Sequence, residues 1–154
     1  MRITDKIPQE KGYCNDSITC TNISMIYTIP IMAYRILIVE DDDFLRSLAV
    51  TKLEAEGFVM DVAADGAEGL QKINAQVPDL AILDLMLPKM TGFEILAEVR
   101  KNDTTKNLKV IVFSNLGEEA DIKKCLDLGV SEYLVKANFT LDELAEKIKM
   151  ILGK

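Results

Sequence analysis

From Tyr34 onward the chain alternates short, continuous apolar runs with longer segments of helical periodicity. The apolar runs fall at 36–39, 59–63, 80–83, 110–113 and 133–135, rich in Ile, Val and Leu. Runs of this length without polar alternation predict strands covered on both faces. Between them lie amphipathic segments near 43–56, 66–75, 92–101, 118–128 and 141–152, which predict helices. In the last of these, Leu141, Leu144, Ile148 and Ile151 form one apolar stripe.

The ends of the helices carry their own signals. Asp65-x-x-Glu68 and Thr140-x-x-Glu143 have the spacing of a side-chain cap followed by its reciprocal acid. Gly57 and Gly129 stand just past two helical segments, where a left-handed residue closes the last turn. Five strand–helix units in strict alternation imply an α/β fold: a five-stranded, doubly wound parallel sheet with helices on both faces.

Residues 1–33 do not join this rhythm. They lack a helical stripe and carry scattered Thr, Asn and Ser, so they read as a flexible N-terminal extension. Met32-Ala33-Tyr34 leads directly into the first strand, and an alternative is that Met32 begins the working protein, with the preceding residues an upstream start-site artefact. The apolar stretch 23–34 does not read as a signal peptide, because Thr28 and Pro30 interrupt it and no small-x-small cleavage site follows. No run is long and apolar enough to span a membrane.

Composition narrows the chemistry. The 154 residues are 49% hydrophobic and 28% charged, suited to one globular domain at 34–154. The net charge is −7, and Arg2, Lys6 and Lys11 balance Asp5, Glu10 and Asp16, so the excess lies after Ala33. Such a surface argues against direct nucleic-acid binding. Cys14, Cys20 and Cys125 give no disulfide framework or metal spacing, and Cys125 reads as a small buried hydrophobe. The chain has no His, which removes imidazole ligands and Ser-His or Cys-His pairs.

Two of the apolar runs end in acids. The first leads into Glu40-Asp41-Asp42-Asp43, and the third into Asp84-Leu85-Met86-Leu87-Pro88. In a parallel sheet the carboxyl ends of neighbouring strands share one crevice. Carboxylates crowded there repel, at about 4 kcal/mol per pair for ~4 Å and an effective dielectric of ~20. A divalent cation relieves this, and Mg²⁺ commonly takes one or two carboxylates together with phosphate oxygens. Taken alone, Glu40 and Asp41 read as acids at a helix start, and Asp42 and Asp43 fit an N-cap and first turn better than a ligand set. Asp84 is harder to place that way, because Asp is a poor strand residue.

With these motifs in order, residues 34–152 resemble the receiver domain of two-component response regulators. Val39-Glu40-Asp41, Asp84 to Pro88 with Gly92, Ser114, and Tyr133-Leu134-Val135-Lys136 carry the likeness. The resemblance implies the flavodoxin-like (βα)5 receiver fold. It implies that Asp84 is the phosphoacceptor, Asp41 a direct ligand of Mg²⁺ or Mn²⁺, Glu40 a ligand through water, and the Met86 carbonyl a third protein ligand. Lys136 and Ser114 would contact the phosphoryl group. Tyr133 matches the switch aromatic and would turn inward as Ser114 is drawn to the phosphate. The side chains flanking the phosphoryl, Met86, Asn115 and Leu116, would tune water access. The sequence departs from the family pattern at Asn115, at Ala137 after the lysine, and at Thr91 before Gly92.

The resemblance implies a phosphoacceptor charged by a histidine kinase or phosphotransfer protein, cytoplasmic, and catalysing only its own phosphorylation and dephosphorylation. Because the sequence given ends at Lys154, right after the fifth helix, the expectation is a stand-alone receiver without an output domain. It would signal by protein–protein contact through the face of helix four, strand five and helix five. Two other classes stay open: a Mg²⁺-dependent phosphohydrolase with Asp84 as nucleophile, and a degenerate receiver that only binds partners. A phosphohydrolase typically needs a second acid two residues on, where Met86 stands. Degeneracy predicts loss of Asp84, Asp41 or Lys136, and all three are present. A nucleotide-binding flavodoxin-like protein is disfavoured, since no Gly-rich loop follows the first strand.

Overall fold

Residues 33–154 are described by a computed structural model of the chain. The expectations for the extension, and for Cys14 and Cys20, lie outside the described residues. Five strands and five helices alternate: β1 (Arg35–Val39), α1 (Asp43–Ala55), β2 (Val59–Ala63), α2 (Gly66–Ala75), β3 (Leu80–Leu83), α3 (Gly92–Lys101), β4 (Lys109–Ser114), α4 (Glu119–Asp127), β5 (Glu132–Val135) and α5 (Leu141–Leu152). A 3-10 turn, Lys136–Asn138, joins β5 to the loop before α5. The strands form one parallel sheet in the order β2-β1-β3-β4-β5. The expected elements are all present, with ends shifted by a residue or so.

Alternate residues of the central strands bury on opposite sides. Leu37, Val39, Ala81, Leu83, Val110 and Val112 pack with residues of α2, α3 and α4. Ile36, Ile38, Leu80, Ile82, Ile111 and Phe113 pack with α1 and α5. Period-2 side-chain direction thus explains why these strands carry no polar alternation: both faces need apolar groups. The outer strands differ from the reading of five doubly covered runs. In β2, Val59 and Val62 are 50% and 37% exposed, and in β5 only Leu134 is fully buried. An edge strand has a neighbour on one side only, so helices do not close over it.

The helix ends follow the sequence signals. Asp42 caps α1 by accepting from the Leu45 N–H, and Asp65 caps α2 by accepting from the Glu68 N–H. The reciprocal acid Glu68 reaches one residue further back, to the Ala64 N–H. Thr140 and Glu143 form a full capping box. Thr91 and Glu94 form a second one at α3, so the departure at Thr91 is a helix cap in this chain. Gly57 and Gly129 have φ of +84° and +71°, as closing residues require. The Lys136–Ala137 bond is trans, as are all the described peptide bonds. Among the described residues no helix is long and apolar enough to cross a membrane.

Candidate functional site

The strand order reverses between β1 and β3, because the chain passes from β1 outward to β2 and then returns to the other side. The crevice outside those two carboxyl ends is where α/β sheets bind ligands. Register decides what meets there. Val39 pairs with Leu83, so the residues that follow, Glu40 and Asp84, leave the sheet side by side. Ser114 pairs with Val135, which brings the next residue, Lys136, to the same edge.

The result is a cluster of three carboxylates and one ammonium. Glu40, Asp41 and Asp84 each offer an oxygen within 4.8 Å of the others. Lys136 Nζ lies 2.6 Å from Asp84 Oδ2 and 2.6 Å from Glu40 Oε2. Both oxygens of Asp84 are engaged, since the Ser114 hydroxyl donates to Oδ1 at 2.7 Å and the Met86 N–H at 3.1 Å. Glu40 and Asp84 are buried, at 2% and 5% exposure, while Asp41 faces solvent. Burial raises the Glu40 carboxyl above its ordinary range, with Lys136 pulling the other way and Asp84 adding to the rise. For Lys136, burial opposes the charge, yet hydrogen bonds from its ammonium to Asp84 and Glu40 prevail and raise it.

One cation among three acids leaves the cluster with an excess of negative charge in a partly dry place. Hard oxygen donors at this spacing fit a small divalent cation, and the donor set, carboxylates without His or Cys, excludes a soft-metal preference. Asp42 stays apart as the α1 cap, and Asp43 pairs with Arg46. Arg46 also donates to the Glu40 carbonyl at 2.6 Å. The Asp43-x-x-Arg46 spacing signals the pair with Asp43 but not this bond to the Glu40 carbonyl.

Around this cluster lie the other expected residues. Tyr133 is half-buried and its hydroxyl donates to the Leu116 carbonyl at 2.9 Å. The turn of Tyr133 and the movement of Ser114 are expected on phosphorylation; here the Ser114 hydroxyl rests on Asp84 and the Tyr133 hydroxyl on the Leu116 carbonyl. Burial, with Cys125, Asp121 and Asp84 near, pushes the Tyr133 phenol up to about 12. Met86 is 60% exposed, whereas the Leu116 side chain packs partly on the core. Asn115 is exposed. Cys125 is fully buried beneath Tyr133, and burial raises its thiol to about 11.

Known proteins resemble the chain in sequence and in fold. The family model described as the response regulator receiver domain matches residues 36–149. The chemotaxis protein CheY of Treponema pallidum is 41% identical over 106 residues, 67% of this chain and 72% of its own length. Curated relatives also include transcriptional regulators, and the chain spans about half the length of these. A CheY-like receiver domain protein from Methanospirillum hungatei superposes with a TM-score of 0.73 at 33% identity, covering 79% of this chain and 94% of that one. The structure of a CheX-CheY-BeF3-Mg complex from Borrelia burgdorferi gives 0.71 at 31% identity, covering 79% and 90%. A matched family model over most of the chain, a doubly wound sheet, and acids at the switch point agree: the chain belongs to the receiver-domain family of two-component response regulators.

Proposed function

We propose that residues 34–154 accept a phosphoryl group on Asp84, from a histidine kinase or phosphotransfer protein, and relay the change by altered protein contacts. The observation that carries this reading is Lys136 Nζ held 2.6 Å from both Asp84 and Glu40 beside Asp41. An Asp84 oxygen attacks phosphorus in line with the donor's P–N bond; that bond breaks, and the imidazole leaves with its electron pair and takes a proton. A carboxylate is a weak nucleophile, so rate must come from placement and charge neutralisation. Lys136 supplies a compact positive charge for the phosphoryl oxygens. The Ser114 hydroxyl, now on Asp84 Oδ1, exchanges that acceptor for a phosphoryl oxygen. Asp41 and Asp84 would hold Mg²⁺ or Mn²⁺, with the Met86 carbonyl, and with Glu40 acting through water. When bound, the ion neutralises the carboxylates and the incoming phosphoryl charge.

The readout follows from which elements touch Ser114 and Lys136. Tyr133 links β5 to the loop before α4 through the Leu116 carbonyl. The amino end of α4 has no side-chain cap, and only Cys125 of that helix is buried. A local charge change thus acts on a weakly held helix, and the face of α4, β5 and α5 is the proposed surface for the downstream partner. The proposed compartment is the cytoplasm. The chain needs no second catalytic role, since it acts only on its own Asp84. Treatment with acetyl phosphate and Mg²⁺ followed by intact mass tests the reading. One added phosphoryl group on the native chain and none on Asp84→Asn is the expected result; labelling of both overturns it.

A further inference from the structure

Beyond the acidic cluster, the loop from Asp84 to Thr91 is held from outside by a different element. Gly66, the first residue of α2, donates its N–H to the Pro88 carbonyl at 3.2 Å. A β-carbon on Gly66 would fall 1.9 Å from the Met90 carbonyl oxygen and 2.7 Å from its carbon. Glycine is therefore set by backbone-to-backbone approach, since its own φ is not left-handed. The Met90 N–H also bonds to the Pro88 carbonyl, at 2.8 Å, closing a three-residue turn. Its central residue, Lys89, has φ of +66°. A side-chain-bearing residue holds such a φ only where its surroundings over-determine it. Here the surroundings are the start of α2: Gly66 on the Pro88 carbonyl, and Asp65 Oδ2 2.6 Å from Lys89 Nζ.

The near leg of the loop is tied to the sheet, because the Asp84 N–H donates to Val39 and the Gly92 N–H to Leu85. Met86 lies between that anchor and the α2 brace. If Gly66 gains a side chain, either α2 or the loop must yield. Gly69, one turn on, is already pressed against the Val39 side chain, whereas Pro88 and Lys89 are exposed. The loop is the part that gives way.

We propose that Asp65 and Gly66 are positioning residues for the phosphorylation site: the start of α2 braces the Pro88–Met90 turn and so sets the Met86 backbone for the divalent cation. This rests on the reading above that the Met86 carbonyl is a ligand. The test is a Mg²⁺ titration of the 154-residue chain followed by amide NMR, with amide exchange and thermal midpoint read on the same samples. Loss of a partner that orients a metal ligand typically costs tenfold or more in affinity, so Gly66→Ala is expected to weaken Mg²⁺ about tenfold. The Met90 amide should exchange faster in that variant. Asp65→Ala keeps the glycine but removes both the α2 cap and the partner of Lys89, and about threefold weakening is expected for this outer contact. It decides the matter if Gly66→Ala does not fold. A lowered midpoint with Mg²⁺ affinity within about twofold of the native chain would mean a merely structural role and overturn the proposal. Failure of the native chain itself to bind Mg²⁺ would instead overturn the parent reading together with this one.

Discussion

Two clusters of opposite charges, one buried and one at the surface, have similar distances and different meanings. In the crevice, Lys136 serves Glu40 and Asp84 at 2.6 Å each, with side chains 3–10% exposed. Between α1 and α5, Lys52 and Lys149 serve Glu56 at 3.0 and 2.8 Å, and Lys52 also reaches Asp142. The Lys52, Lys149 and Glu56 side chains are 25–30% exposed. At the surface water screens the charges, and each pair adds little. In the crevice Lys136, Glu40 and Asp84 are largely shielded from water, a missing partner is costly, and three acids face one cation. The acid groups move in opposite directions accordingly. Lys149 and Lys52 hold Glu56 down at about 2, whereas burial raises Glu40. Lys149 also pairs with Glu146, so two lysines meet three acids at the surface, whereas the crevice sets three acids against one lysine with far less water to screen them.

The largest expected effect breaks the crevice at the proposed acceptor. Asp84→Asn should abolish the phosphoryl mass increment entirely, because among the described residues no other carboxylate meets Lys136 and Ser114 together. Persistent labelling would move the acceptor elsewhere.

Next comes the cation. Lys136→Met leaves Glu40 and Asp84 facing each other without it, and removing one partner of a buried pair costs about 3–5 kcal/mol. Urea unfolding should show that loss, and Mg²⁺ should restore part of it. The double variant with Asp84→Asn should be more stable than Lys136→Met alone. If Lys136→Met costs no more than a surface pair does, the contrast between the clusters collapses.

The two neighbouring acids should separate by role. Asp41→Ala is expected to weaken Mg²⁺ about tenfold or more, whereas Asp42→Ala loses a helix cap worth about 1 kcal/mol and leaves affinity near native. Isothermal titration of both, with a thermal melt of each, decides; equal losses of affinity would put the ligand register in error.

At the rim, Met86 and Leu116 are apolar and cannot orient a water by hydrogen bonding. Met86→Asn and Leu116→Glu should quicken release of phosphate from the phosphorylated chain by a few-fold, within the range of general acid–base assistance. Met86→Asn should act more strongly, because Met86 is 60% exposed and Leu116 packs partly on the core. Unchanged or slower release in both would remove the shielding role.

The smallest effect belongs to the surface cluster. Glu56→Gln should lower the thermal midpoint slightly, and the difference should fade in molar salt. With its folded value depressed from 4.5 to about 2, Glu56 supports the fold above the ordinary carboxylate range. That support is lost as pH falls towards 2. Melts of both chains between those limits should converge. A gap that persists at the acid end would mean Glu56 acts through packing.

The positions of the five strands were legible because continuous apolar runs are a local record of burial on both faces. So were Asp84 as a strand-end acid and the caps at Asp65, Thr140, Gly57 and Gly129, since each is a short-range pattern. Which strands lie at the sheet's edges was less legible: Asp61 interrupts the β2 run and is a hint, but strand order is what leaves Val59 and Val62 exposed. The pairings at the site were implied by family likeness, and pairwise register made them physical. Lys136 meets Asp84 across 52 residues and Ser114 meets it across 30, separations that no periodicity encodes. Gly66 carried no sign of its role, for a glycine at a helix start is common and only the approach of the Met90 carbonyl makes it necessary. A sequence records what each segment wants to bury; which distant groups then come within bonding distance is decided by strand order, register and the backbone contacts between elements.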